Sequence, residues 1–161
     1  MLTKAMVLAA VVLSGAGTAE AQSYEITVKD LQEAMTRQKV TLQPGDAVII
    51  NTGWSRLWAK DNARYVRSNP GIGVAAAEWL VKQDPMLVGA DNWSVEVMPG
   101  PDPKVSQPVH QLMLPIYGVH LLENMRLDDL AAKRVYEFAL IVQPLKIHGG
   151  TGSTVAPVAV R

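Results

Sequence analysis

Two of the three histidines in the chain, His110 and His120, and an acid, Glu123, fall in one otherwise apolar stretch, Pro108 to Asn124 (PVHQLMLPIYGVHLLEN). Polar groups set among Leu, Met, Ile and Val need partners, because burying them unpaired costs free energy. Imidazole and carboxylate can find those partners in core hydrogen bonds. They are also the usual borderline-to-hard metal ligands and proton carriers. Residue type and spacing leave both chemistries open. The choice rests on what other elements bring to the same point.

Three further features could take part. From Trp54 to Ser68 aromatic and charged residues alternate: Trp54, Arg56, Trp58, Lys60, Asp61, Arg64, Tyr65 and Arg67. Such a set could line a pocket for a planar, anionic or aromatic substrate, with Trp54 and Trp58 as contacts. It could equally be an irregular loop or short helix whose aromatics pack inward. Asp91 follows the apolar run Met86 to Ala90. An acid at the carboxyl end of an interior strand can face a site or cap the next turn, and both readings stand. The glycine-rich segment His148 to Ser153 lacks the lysine and helix start of a phosphate cradle, so it reads as a tight turn.

The chain of 161 residues, 48% of them hydrophobic, is long enough for one domain with a real core. Fifteen basic residues balance fifteen acidic ones, which gives no electrostatic footprint for nucleic acid. There is no cysteine, which excludes disulfides, thiolate catalysis and Cys-type zinc sites. At the N-terminus Lys4 precedes the apolar run Ala5 to Leu13, and Ala19-Glu20-Ala21 fits a small-x-small cleavage rule. This pattern predicts a signal peptide over residues 1–21, hence an exported, periplasmic or secreted protein with no membrane attachment after cleavage. The alternative is an ordinary buried N-terminal strand or helix.

The remaining elements would position these groups. Thr27-x-x-Asp30 is an N-terminal capping signal, and Val28, Leu31, Ala34 and Met35 recur at helical spacing over Val28 to Gln38. Ala47 to Ile50 and Met86 to Ala90 are short continuous apolar runs, as in interior strands. A second helix is expected over Val74 to Gln83, stopped by Asp84-Pro85. Residues 92–97 are expected to be extended, and the following proline-rich segment an ordered loop. Val109 to Leu114 reads as a short helix, Val119 to Leu122 as a strand, and Leu127 to Ala132 as a helix. Tyr136 to Leu145 and Val155 to Val160 read as strands, the first with Phe138, Leu140 and Val142 on one face. Short strands alternating with short helices give an α/β fold with a mixed sheet.

Several segments, taken together, resemble the cyclase family of metal-dependent hydrolases, which includes bacterial kynurenine formamidase and isatin hydrolase. They are Pro44-Gly45-Asp46 with Thr52-Gly53-Trp54, Asn69-Pro70-Gly71-Ile72, and Val88 to Trp93. The strongest are Val109-His110-Gln111-Leu112, Leu122-Glu123-Asn124 with Leu127 to Leu130, and Pro144 to Ile147 leading to Gly149-x-Thr151-Gly152-Ser153.

The resemblance implies a swivelling β/β/α fold and arylformamidase-like hydrolysis of an amide, formamide or cyclic amide C–N bond. The water would be activated on a divalent cation, Zn²⁺ or Mn²⁺. By position, His110 resembles a catalytic or metal-ligand histidine and Glu123 the carboxylate that supports the metal. His120 and His148 fall outside the motifs.

The family's upstream H-x-G-T-H-x-D-x-P-x-x-H motif has no counterpart, so residues 22–161 read as a partial, N-terminally truncated cyclase-like domain. A neighbouring protomer of a homo-oligomer, or a second chain, would supply the missing ligands. The alternative is an exported, non-catalytic remnant that binds a small aromatic or acidic ligand or serves as an interaction module.

Overall fold

A computed structural model describes residues 2–8, as a backbone strand, and residues 23–161. The helix expected from the capping signal is present as α1 (Val28–Gln38), with Thr27 and Asp30 forming a reciprocal capping box. The Thr27 amide donates to Asp30 Oδ2 at 2.8 Å, and the Asp30 amide to Thr27 Oγ1 at 3.3 Å. These bonds satisfy two of the amides that a helix start leaves free. Leu31 and Ala34 form its buried stripe, and Lys39 ends it in the left-handed conformation, φ 55°.

The main sheet has six strands: β1 (Leu2–Leu8), β3 (Ala47–Ile50), β5 (Leu87–Ala90), β6 (His120–Leu122), β7 (Glu137–Ile141) and β8 (Val158–Val160). Their spatial order is β6-β5-β3-β1-β7-β8. The first four in that order run parallel, and β7 and β8 join antiparallel. A two-stranded parallel ribbon, β2 (Glu25–Ile26) with β4 (Gly71–Ile72), lies apart from it. The mixed α/β sheet is the class expected from the alternating pattern.

Both faces of the sheet are covered, which is why β3 and β5 read as unbroken apolar runs. On one face Val48, Ile50, Val88 and Ala90 pack in a single cluster with Leu31 of α1, Leu80 of α3 (Val74–Val81), Val109 and Met113. On the other, Ala47, Ile49 and Leu87 pack with Met125, Leu127, Phe138 and Leu140. Each fully buried Leu or Ile contributes about 1.5–3 kcal/mol relative to exposure.

Three stretches differ in detail from the elements expected of them. Leu2–Leu8 falls in the stretch expected to be a signal peptide, yet it is hydrogen bonded on both sides, to β3 and β7. The sheet of the described chain thus takes in residues ahead of the expected cleavage point; residues 9–21 of that stretch lie outside the described residues. The helix expected over Val109 to Leu114 is a short α4 (Pro108–Gln111) continued by a π turn, Leu112–Ile116. Proline suits the first helical position, and the wider turn carries Pro115, which has no amide to donate. Residues 92–97, expected to be extended, bend instead, with a single bridge from Glu96 to Ile72 and, just beyond them, one from Met98 to Asn69.

Candidate active site

Parallel strands deliver their carboxyl ends to one edge of a sheet, where ligands of open α/β folds gather. β3, β5 and β6 lie in register, with Ile50 opposite Ala90 and Gly89 opposite Leu122. Thr52, Asp91 and Glu123 therefore leave the sheet at the same edge, and the helix carrying His110 belongs to the connection from β5 to β6.

His110 and Glu123 come together as the sequence suggested. His110 Nε2 lies 3.2 Å from Glu123 Oε1. A second carboxylate, which the sequence reading missed, holds the other side of the ring: His110 Nδ1 lies 2.5 Å from Glu96 Oε1. Glu96 also accepts from the amides of Val109 (3.1 Å, to Oε2) and His110 (3.2 Å, to Oε1). Its side chain is 2% exposed, against 22% for His110 and 31% for Glu123. The line Glu96–His110–Glu123 thus runs from the interior out to solvent. The carboxylates of Glu123 and Glu96, in that order, push the His110 pKa up to about 9 against the opposing effect of burial. His110 is an imidazolium at neutral pH, with both ring nitrogens donating.

Tyr65, in α2 (Asn62–Arg67), is buried and reaches the loop that follows β6. Its hydroxyl donates to Asn124 Oδ1 at 2.8 Å. Burial, then the charges of Asp91 and Glu123, raise its pKa to about 12, so the phenol stays protonated. The Asn124 amide in turn bonds the Asn92 carbonyl at 2.8 Å, tying the loop after β6 to the loop after β5.

Of the three residues expected to line a substrate pocket, two are buried. Asp91 is fully buried. Its Oδ1 accepts from the Thr52 amide (2.7 Å) and hydroxyl (2.6 Å), and its Oδ2 from the Ser55 amide and hydroxyl (3.4 and 3.3 Å). Both oxygens clamp the loop after β3, rather than capping the turn that follows Asp91. Trp54, 7% exposed, donates its indole N–H to the Tyr65 carbonyl at 3.1 Å, so it packs inward. Trp58 is 60% exposed and meets the Tyr65 ring edge-on, centroids 5.2 Å apart. His120 and His148 are both exposed and outside the cluster.

The signal for Glu96 was present in the sequence: an acid between two valines, Val95 and Val97, is the same anomaly that singled out Glu123. Nothing local connects it to His110, because the contact is made by the fold.

The donor set can be tested against a divalent cation. A catalytic zinc centre takes three protein ligands and keeps one position open. Only His110 Nε2 and Glu123 face each other with access to solvent, and the Glu96 oxygens are committed to the interior side of the ring. Among the described residues no group of three or more His, Asp or Glu side chains is placed to hold a metal ion. These residues do not make up a complete cation site.

Comparison with known proteins agrees with the fold. The family "Cyclase" (Putative cyclase) matches residues 1–97, a span that includes β1. A crystal structure of a novel cyclase is 32% identical, with a TM-score of 0.83, covering 99% of this chain and 54% of that one. Isatin hydrolase A from Ralstonia solanacearum is 25% identical, with a TM-score of 0.76, covering 99% of this chain and 60% of that one. The structure of a potential metal-dependent hydrolase with cyclase activity is 19% identical, with a TM-score of 0.64, covering 98% of this chain and 63% of that one. Search of the curated proteins finds no match. The chain thus spans little more than half the length of the solved structures that it resembles. With the family matching well over half of its residues, the chain belongs to the cyclase family.

Proposed function

We propose that this chain carries the acid–base half of a hydrolase site acting on an amide C–N bond, either a cyclic aromatic amide or an aryl formamide. The observation that carries the reading is the Glu96–His110–Glu123 line, which has one buried and one solvent-facing carboxylate on a single imidazolium. The similarity to isatin hydrolase A supports the substrate class.

The chemistry follows from the geometry. The Glu123 carboxylate takes a proton from the attacking water as its oxygen bonds to the carbonyl carbon. As the C–N bond breaks, His110 Nε2–H gives its proton to the leaving nitrogen. Glu123 then returns its proton to Nε2 across the 3.2 Å gap, and both groups are restored. General acid–base help of this kind is worth roughly 10²–10⁴-fold. A family metal, Zn²⁺ or Mn²⁺, would take His110 only as the neutral imidazole, in place of its role as acid, and would need further ligands beyond His110 and Glu123. A neighbouring protomer or second polypeptide is the proposed source.

The test is turnover of an aryl formamide and of isatin by the purified chain, with metal content measured before and after chelation. His110→Ala and Glu123→Ala should each lower turnover by about 10²–10⁴-fold. Wild-type turnover in both variants would refute the assignment. A second reading, a ligand-binding member without catalysis, is favoured by the two-donor count. It requires binding of an aromatic amide that chelator leaves unchanged, with no turnover under any metal.

A further inference from the structure

Glu96 is held far more tightly than a helix cap requires. Its backbone is fixed on both sides. The Ser94 hydroxyl and the Asn69 side-chain amide donate to the Glu96 carbonyl at 2.7 and 2.9 Å. Asn92 Oδ1 accepts the Val95 amide at 2.7 Å. All three of these polar side chains are fully buried. Val95 itself adopts φ 59°, a left-handed conformation that a β-branched residue rarely takes and that persists only where its surroundings enforce it. Gly71 packs so closely on the Glu96 backbone that a Cβ there would overlap it. The strained turn aims a buried carboxylate out of the β4 ribbon and across to α4. A cap would need only the two amide bonds. The third, to His110 Nδ1, is the shortest of the set and fixes the ring's rotation, which the backbone contacts leave free.

We propose that Glu96 is a positioning residue: gripping His110 by its amide and its Nδ1 together, it fixes the plane of the imidazole so that Nε2 faces Glu123. Carboxylate partners of functional histidines orient the ring and set which nitrogen is left for chemistry. The proposal deepens the acid–base reading and rests on it for its consequence, though the geometry can be read independently of turnover.

The experiment is NMR of the whole chain labelled with ¹⁵N-histidine, in wild type and in Glu96→Gln. Wild type should show one ring Nδ1 proton that is shifted far downfield and protected from exchange, assigned by its loss in His110→Gln. The exposed His120 and His148 serve as internal controls. Glu96→Gln should abolish that signal and leave the control resonances in place. In an active assembly it should also lower kcat about 10- to 100-fold with little change in KM. A wild-type spectrum without the protected Nδ1 proton overturns the proposal, and that measurement stands even if the variant does not fold. Equally, a Glu96→Gln protein that keeps the ring proton and loses only amide protection at Val109 and His110 would show a cap and nothing more. A protected ring proton in a protein whose His110→Ala variant keeps full turnover would sink the acid–base reading while leaving the positioning geometry intact.

Discussion

Stability should fall as pH rises from 6.5 towards 9.5, and His110 should account for the fall. The folded chain holds this imidazole between two carboxylates, which raises its pKa from the ordinary 6.5 to about 9. The unfolded chain releases the same proton near 6.5. The proton is therefore bound more tightly by the folded state. Its contribution is complete below pH 6.5 and disappears as pH passes through about 9. Each tenfold in proton affinity is worth about 1.4 kcal/mol, so the ceiling is about 3 kcal/mol. The Glu123 side chain is 31% exposed and the His110 side chain 22%, so water screens the outer half of the interaction and about 1–2 kcal/mol is the expected loss. The assay is urea unfolding at half-unit pH steps, with His110→Gln as control. Tyr65 adds a loss of the same sign only above about pH 10, where the unfolded phenol begins to ionise while the folded one is held up to about 12, and it leaves the window clear. A wild-type curve that is flat between pH 6.5 and 9.5, or a His110→Gln curve with the same slope, would refute the reasoning.

Three other outcomes are expected. Asp91→Asn should cost about 2–4 kcal/mol in the same unfolding assay, because an amide group would be turned against the Thr52 or Ser55 donors that the carboxylate now accepts; a loss below about 0.5 kcal/mol would show that the clamp is not formed. Gly71→Ala should destabilise by about 1–3 kcal/mol, since its Cβ would meet the Glu96 backbone, and it should also disturb the His110 ring resonance; an unperturbed ring would separate the ribbon from the site. A chain starting at Gln22 should fail to give a cooperative unfolding transition, because removing β1 leaves β3 and β7 with unpaired inner edges; intact mass of the purified full-length protein would show whether that cut is made, and a stable truncated protein would count against β1 as a structural strand.

Much of the architecture could be read from short-range signals. The Thr27–Asp30 capping box sets the start of α1 within one turn of chain. The alternation of Phe138 and Leu140 with more exposed neighbours marks β7 as a strand with one buried face. The unbroken run Ala47 to Ile50 marks a strand buried on both. The same feature leaves the N-terminus open: an unbroken apolar run such as Ala5 to Leu13 suits a leader peptide and an interior strand alike, and in the structure Leu2–Leu8 pairs with β3 and β7.

By itself, then, the sequence determined the mixed α/β class, the helix and strand order, and the suspicion attached to His110 and Glu123, because capping, periodicity and an acid among apolar residues act over a few positions. What tertiary structure alone decided is which groups meet. It turned Asp91 inward onto the loop after β3, buried Trp54, and brought Glu96 to the back of the His110 ring. Those outcomes depend on the parallel register of β3, β5 and β6 and on the left-handed turn at Val95. Register and strain of that kind are set by contacts between residues far apart in the chain, which no local pattern encodes.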